Sequence, residues 1–416
     1  MGALQEAALQ ELKRFAVNRL PSKFVGNLQR WIRKHFQNSA HNTPAADHFV
    51  FSDESSDLTT SEYELSLQLI EKIKEMINVR DTICDENGEN NIIRPSANWS
   101  KQKRQHFELD GRITNFYTSS DLLLSGNRDV VRKMRLYSQA FTGYQLATFS
   151  VNRMRPWISA PLPRNYDEFL RMLVSWPDES ALNTLATLEL LPERLRLSPP
   201  TKFGEIGWIV DRRLVNADVC YYLTELAIMH ENDVFEFLDQ RNKEGRVNIL
   251  EIGGGYGGLA YYLIRLYPNS EYVIVDIPES LLFSAIYLSV ICDKALCRLI
   301  GDPNEKVSLN GKPAVTFLPD YAIDNLIEEG KFDLVINTFS LTEMSRAQAI
   351  HYAARVEKLL RPAGLFYEHN VPTYEGSEID DLESLIKRSS SMRCRKCSTR
   401  RMKASNSRIA SRIWTR

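Results

Sequence analysis

Apolar and polar positions change rhythm twice along the chain. Over residues 1–40, Leu4, Ala7, Ala8, Leu12, Phe15, Ala16 and Val17 fall near helical spacing, as do Phe24, Leu28, Trp31, Ile32 and Phe36 after Pro21. Two amphipathic helices that pack on the body or on a partner are expected there. The acidic, Ser/Thr-rich stretch 52–62 reads as an exposed linker, and a helix is expected over 63–78, closed by the polar segment 81–91. Residues 98–210 look mostly helical, with long irregular spans at 155–164 and 198–207. Pro156, Pro161 and Pro163 forbid regular pairing in the first of these, and loops of such length commonly form lids or substrate walls.

After Asn216 an apolar helix over 219–237 leads into an alternation of short apolar runs and helical segments. Strands are expected at 248–252, 272–275, 314–317, 332–336 and 364–367, with helices at 259–267, 280–291 and 346–359. The strand runs do not alternate with polar residues, so both of their faces are buried. That predicts an α/β fold, a parallel sheet with helices on each side. No internal repeat is present.

Composition changes this picture little: of 416 residues, 43% are hydrophobic and 25% charged, the profile of an ordinary globular chain. No apolar run approaches the ~20 residues of a membrane helix, and residues 1–20 carry charges through their apolar positions, so a cytoplasmic location without a membrane span is expected. The six cysteines are scattered, as suits reduced thiols. Charge matters more. Residues 387–416 hold eleven Lys or Arg and no acid, which leaves the first 386 residues with a net charge of −12. An acidic body argues against nucleic-acid binding by the folded part, because phosphate contacts need clustered positive charge.

The candidate chemistry lies where the first long apolar run breaks into glycines. Gly253-x-Gly255-x-x-Gly258 matches the dinucleotide fingerprint, and Asp276, at the end of the next strand, is placed to grip ribose hydroxyls. A nucleotide-dependent oxidoreductase using NAD(P) is therefore one reading. Glu251 argues for another, because an acid two residues before the first glycine repels a pyrophosphate and attracts a cofactor with a positive centre and an ammonium.

Glu251-Ile252-Gly253-Gly254-Gly255-Tyr256-Gly257 resembles the first motif of class I S-adenosylmethionine-dependent methyltransferases. Val273-Ile274-Val275-Asp276-Ile277-Pro278 resembles their second-strand motif, Phe332 through Thr338 their fourth, and Leu359 through Phe366 the helix, turn and fifth strand. The longer phrases Asn337-Thr338-Phe339-Ser340-Leu341-Thr342-Glu343-Met344 and Phe366-Tyr367-Glu368-His369-Asn370 are similar to the sugar O-methyltransferase family, with weaker likeness at Phe203-Gly204-Glu205-Ile206-Gly207 and Leu214-Val215-Asn216-Ala217-Asp218. The resemblance implies a Rossmann-like class I methyltransferase sheet, S-adenosyl-L-methionine as cofactor, and a small-molecule or glycan acceptor. It assigns Glu251, Gly253, Gly255, Tyr256 and Gly257 to the methionine part of the cofactor, Asp276 to the ribose diol, and Ile277, Asp320 and Tyr321 to adenine contacts. Asn337 and Thr338 would lie beside the sulfonium.

Methyl transfer to a hydroxyl needs alignment and a base. His369, just after the fifth strand, and Glu343, six residues past Asn337, are the candidates. Each has a structural alternative: Glu343 as a cap for the helix starting near Ser345, His369 as a satisfied buried hydrogen bonder. No metal signature stands out, since Cys394-Arg395-Lys396-Cys397 is a lone CxxC; Glu368 and Asp320 could contribute to a divalent cation site.

The expected organisation is a helical segment with an acidic linker (1–97), a helical substrate or lid region (98–210), the cofactor-binding domain (211–386) and a basic, disordered tail (387–416). A helix over 374–386 is expected, but the tail offers no apolar alternation for the two strands that complete such a sheet. Those strands would then be missing, through a non-homologous end or a tail that binds nucleic acid or acidic lipid, and a catalytically inactive, partner-binding protein is the third reading.

Overall fold

The computed structural model describes residues 49–51, 58–88, 92–96, 116–138, 191–210, 213–293, 296–327, 329–370, 379, 381–401 and 408–416. The two helices expected over 1–40 lie outside these residues, as do the irregular span 155–164 and most of the helical region expected between it and residue 198. The chain divides into two compact units.

The first unit draws on Met1–Leu58, Phe107–Ser119 and Arg132–Glu231. It holds a three-stranded antiparallel sheet of β1 (Phe49–Phe51), β2 (Ile206–Val210) and β3 (Arg213–Val215). The irregular span expected over 198–207 therefore runs into a strand. Buried Arg135 ties the unit together: its Nε donates to Glu205 at 2.7 Å and its Nη2 to Asp218 at 2.7 Å. Asn216 donates to Glu205 at 2.8 Å, so the two phrases around Glu205 and Asn216 meet around one guanidinium. Breaking such a buried network leaves uncompensated charge, which makes it a fixed point of this unit.

The second unit draws on Thr59–His106, Ser120–Val131 and Asn232–Arg416. Its first helix, α1 (Thr60–Asn87), starts at a capping box: Thr59 Oγ1 accepts from the Glu62 N–H at 3.2 Å, and Glu62 Oε2 accepts from the Thr59 N–H at 2.8 Å. It runs through the polar segment expected to end it and stops at Gly88, at φ +74°. The helix expected over 219–237 is broken. Ala217–Glu231 (α2) ends the first unit and Val234–Glu244 (α3) begins in the second, with Asp233 left-handed between them at φ +61°.

The main sheet has eight strands: β4 (Asn248–Ile252), β5 (Glu271–Asp276), β6 (Cys297–Leu299), β7 (Ala314–Pro319), β8 (Phe332–Thr338), β9 (Leu360–Asn370), β10 (Arg393–Arg401) and β11 (Arg408–Thr415). Their order is β10-β11-β9-β8-β4-β5-β7-β6, parallel from β9 to β6, with β11 antiparallel to both of its neighbours. This is the Rossmann-like α/β sheet with helices on both faces that the sequence predicts, with one additional edge strand, β6. Four helices connect it: α4 (Gly258–Leu266), α5 (Pro278–Ile291), α6 (Arg346–Leu359) and α7 (Leu382–Ser389). Residues of α6 and α7, among them Ala349, Val356, Leu382 and Ile386, join Leu250, Val273, Val335 and Phe366 in one buried cluster. On the other face α5 is buried all round, between β5–β7 and α1.

The tail overturns an expectation. Its described residues, 387–401 and 408–416, include the final two strands, which were expected to be missing. Ala410, Ile413 and Trp414 are buried on β11, which pairs Trp414 with Phe366 and Ile413 with Tyr367. Arginines hid this strand. One of them, Arg412, is itself buried, with Nη1 on Glu368 and Nε on Glu383 at 3.2 Å. Arginines and lysine on β10, the sheet's edge, follow the usual means of keeping an edge from pairing with other chains.

Candidate active site

Parallel register brings the candidate residues to one edge of the sheet. Ile252 is level with Val275 and Asn337, Asp276 with Pro319, and Thr338 with His369. The glycine loop, Asp276, Asp320, Asn337, Thr338 and His369 therefore all lie at the carboxyl ends of the strands, where open α/β sheets bind their ligands.

The loop needs its glycines for two reasons. Gly253, Gly255 and Gly257 have φ of +78°, +57° and +86°, a region that side chains disfavour. A Cβ on Gly253 would also stand 2.3 Å from Ser340 Oγ. The Gly255 N–H donates to Asp276 Oδ2 at 3.0 Å, which fastens the loop to the end of β5. Tyr256 is 2% exposed and meets Tyr287 of α5 edge-on, ring centroids 5.2 Å apart, so its side chain belongs to the core.

Carboxylates dominate the charge here. Glu251 is buried behind the loop and accepts from the Tyr272 hydroxyl at 2.8 Å. Burial pushes its pKa up to about 7, against the lowering effect of that hydrogen bond. Asp276 accepts from Ser280 Oγ at 2.6 Å and the Ile277 N–H at 2.8 Å besides Gly255, yet burial still raises it to about 6. Asp320 takes the Tyr321 N–H at 3.0 Å and is raised to about 7, again by burial, with Arg80 pulling the other way. Tyr321 itself donates to the Gly301 carbonyl at 2.9 Å. Arg80 reaches this edge from α1 and grips Glu279 with two hydrogen bonds, at 2.5 and 2.9 Å. Three acids held above their ordinary pKa at one edge suit a ligand that brings positive charge and hydroxyl donors. A pyrophosphate would meet the same acids as repulsion.

On β8 Asn337 sits at the carboxyl end of the strand, level with Ile252. Asn337 is fully buried: its amide N–H groups reach the Ile252 carbonyl at 2.9 Å and Ser340 Oγ, and its Oδ1 accepts from Leu341 N–H at 3.2 Å and Asn370 Nδ2 at 3.0 Å. It clamps β8 to the glycine loop. Thr338 and Ile277 are half-buried at the edge. His369 is 8% exposed, level with Thr338, and its ring lies 5.0 Å from that of Phe339. Glu343 sits in a short 3-10 turn, Leu341–Glu343, whose carbonyl accepts from Ser96 Oγ at 2.5 Å. The cap of α6 is made by Ser345 and Gln348, so Glu343 does not serve as that cap.

Sequence reading missed Ser340, Arg80 and Asn370. Ser340 and Asn370 stood inside the quoted phrases, where Asn370 Oδ1 is now buried with no hydrogen-bond partner among the described residues. Arg80 had no local signal at all. Among the described residues no group of three or more His, Cys, Asp or Glu could hold a metal ion, and Glu368 is held by Arg412 and Asn370. No described helix is long and apolar enough to cross a membrane.

No protein family and no curated protein matches this chain by sequence. Solved structures with local likeness include the cyclase SpnF, at 14% identity over 41% of this chain and 75% of that one, with a TM-score of 0.32. An arsenic(III) S-adenosylmethionine methyltransferase from Chlamydomonas reinhardtii matches at 18% identity over 40% of this chain and 62% of its own, with a TM-score of 0.30. Geranyl diphosphate C-methyltransferase from Streptomyces coelicolor A3(2) matches at 10% identity over 47% and 84%, with a TM-score of 0.31. Each covers less than half of this chain, so the chemistry of the site is read from its own residues.

The raised carboxylates give a pH signature. Glu251, at about 7 in the folded chain against an ordinary 4.5, binds more proton when folded than when unfolded between those values. Stability therefore falls as pH rises from about 4.5 to 7 and levels off above. Asp276 and Asp320 act with the same sign. Glu251→Gln is expected to flatten part of this slope and to raise the unfolding free energy measured in urea at pH 8, by no more than about 3 kcal/mol. Equal slopes in both proteins, measured from pH 4.5 to 8, would refute the assignment.

Proposed function

We propose that this chain is an S-adenosylmethionine-dependent O-methyltransferase acting on a sugar or glycoconjugate hydroxyl. The observation that carries the reading is the buried Glu251 behind a glycine loop whose edge also presents Asp276 and Asp320. The sugar acceptor rests on the phrases around Asn337 and His369 alone. With β10 and β11 in the sheet, the main reason for an inactive fold is gone.

When bound, S-adenosylmethionine supplies a methyl group on a positively charged sulfonium. The chain has four things to do around it. The glycine loop lets the ligand approach the main chain, Glu251 supplies negative charge to the ammonium end, and Asp276, which has one lone pair left on Oδ1 after three hydrogen bonds, accepts from a ribose hydroxyl. His369 takes the proton from the acceptor hydroxyl, with Glu343 as the second candidate for that proton.

The test is transfer of labelled methyl from S-adenosylmethionine to a panel of nucleotide sugars and glycans, beside binding titrations with that cofactor and with NAD(P). Micromolar S-adenosylmethionine binding and a labelled acceptor are expected. His369→Ala should lower turnover about 10²–10⁴-fold with cofactor affinity intact. Glu343→Gln takes that effect if Glu343 is the base, and full activity in both variants removes both from the role.

A further inference from the structure

The tip of β8 makes a turn that a bulky residue ordinarily avoids. Phe339 has φ +58°, in the left-handed region where glycine or asparagine sits without strain. Neighbours on both sides hold it there. Its N–H donates to the His369 carbonyl at 2.8 Å, and the next residue, Ser340, is pinned through Oγ to Asn337 and to the Ile252 carbonyl at 3.2 Å. The turn so formed seats Ser340 in the space that a Cβ on Gly253 would fill. Strain of this kind persists where the surroundings over-determine it, and it gathers at functional sites.

A turn alone does not account for the phenyl ring. The ring is half-buried at the ligand edge and tilted 55° against the His369 imidazole, centroids 5.0 Å apart. We propose that Phe339 is a positioning residue for His369 and an apolar wall for the acceptor. Its ring fixes the plane of the imidazole, and its exposed part receives an acceptor that offers a C–H face beside the reacting hydroxyl, as a pyranose ring does. Charged groups are excluded from that side. This role rests on the reading of His369 as the proton acceptor, and the Gly253–Ser340 contact makes the left-handed turn part of the cofactor loop's support.

Phe339→Gly and Phe339→Asn keep the turn and remove the ring, whereas Phe339→Tyr keeps both. In the purified full chain, the two ring-less variants are expected to melt at or above the wild-type temperature and to bind S-adenosylmethionine within about twofold of wild type. Their kcat should fall about tenfold or more and their acceptor KM should rise, while Phe339→Tyr stays within about threefold of wild type. In NMR spectra the His369 ring-proton resonances should move in Phe339→Gly, because the neighbouring ring current is lost. Wild-type kinetics in Phe339→Gly would overturn the proposal, as would parallel loss of melting temperature, cofactor affinity and turnover in both ring-less variants, which marks a structural role only. A wild-type chain that binds the cofactor and labels no acceptor overturns the methyl-transfer reading itself, and this role with it.

Discussion

Gly253→Ala is expected to lose S-adenosylmethionine affinity about a hundredfold or more and to lower the melting temperature at the same time. Two costs add at this residue. A left-handed φ of +78° disfavours any Cβ by about 1–2 kcal/mol. The new methyl would stand 2.3 Å from Ser340 Oγ and 2.5 Å from Ser340 Cβ, and overpacking of that severity costs about 1–3 kcal/mol more. Ser340 cannot step aside freely, because Asn337 and the Ile252 carbonyl hold its hydroxyl. The loop has to shift instead, and the loop is where the cofactor meets the main chain. A double variant separates the two costs: Ser340→Gly with Gly253→Ala relieves the collision and leaves the backbone strain. Calorimetric titration should then recover about tenfold or more of the lost affinity, and no recovery would show that Ser340 is not what closes the space.

Arg412→Met is expected to destabilise the second unit by about 3–5 kcal/mol, a fall of about 10 °C in melting temperature. Glu368 is fully buried, and the Arg412 guanidinium is its counter-charge; among the described residues, removing the cation leaves the carboxylate with the Asn370 amide, at 3.0 Å, for company. The effect should reach the ligand edge, because the same Asn370 amide also bonds Asn337. Glu368→Gln in the Arg412→Met background should return much of the stability, and Arg393→Met, on an exposed position of β10, should change it by less than about 0.5 kcal/mol. Thermal melts followed by circular dichroism decide this. A neutral Arg412→Met would mean that β11 is not part of the cooperative sheet.

How legible the molecule was depended on how locally each part is encoded. β4, the glycine loop and α4 are consecutive, and their signals, an apolar run, positive-φ glycines and a helical period, are all short-range. The same holds for β5 with Asp276, β8 with Asn337, and α6. β11 was illegible for a physical reason: its polar positions are two arginines, a serine and a threonine, and pairing with β9 is what reveals that Arg412 faces a buried acid instead of solvent. The break at Asp233 was also hidden, because both sides keep a helical period and the left-handed residue is one of the few types that tolerates that conformation. Asn337 shows a different limit. Its motif position was legible, but its partners, Ile252, Ser340, Leu341 and Asn370, are set by register across strands, and they turn the side chain into a clamp.

The bond between Arg80 and Glu279 spans 199 positions of sequence, and most residues of the other compact unit lie in between. Bringing such distant segments together costs about 5 kcal/mol in loop-closure entropy. The βα units around β4, β5 and β8 close over far shorter distances, so they are expected to form before α1 docks, an order that pulse-labelling hydrogen exchange during refolding would test. Until it docks, Asp276, Glu279 and Asp320 face one another without their guanidinium, and the outer face of α5 is bare. On that order the ligand edge is completed only when α1, a helix far from the glycine loop in sequence, brings Arg80 to Glu279.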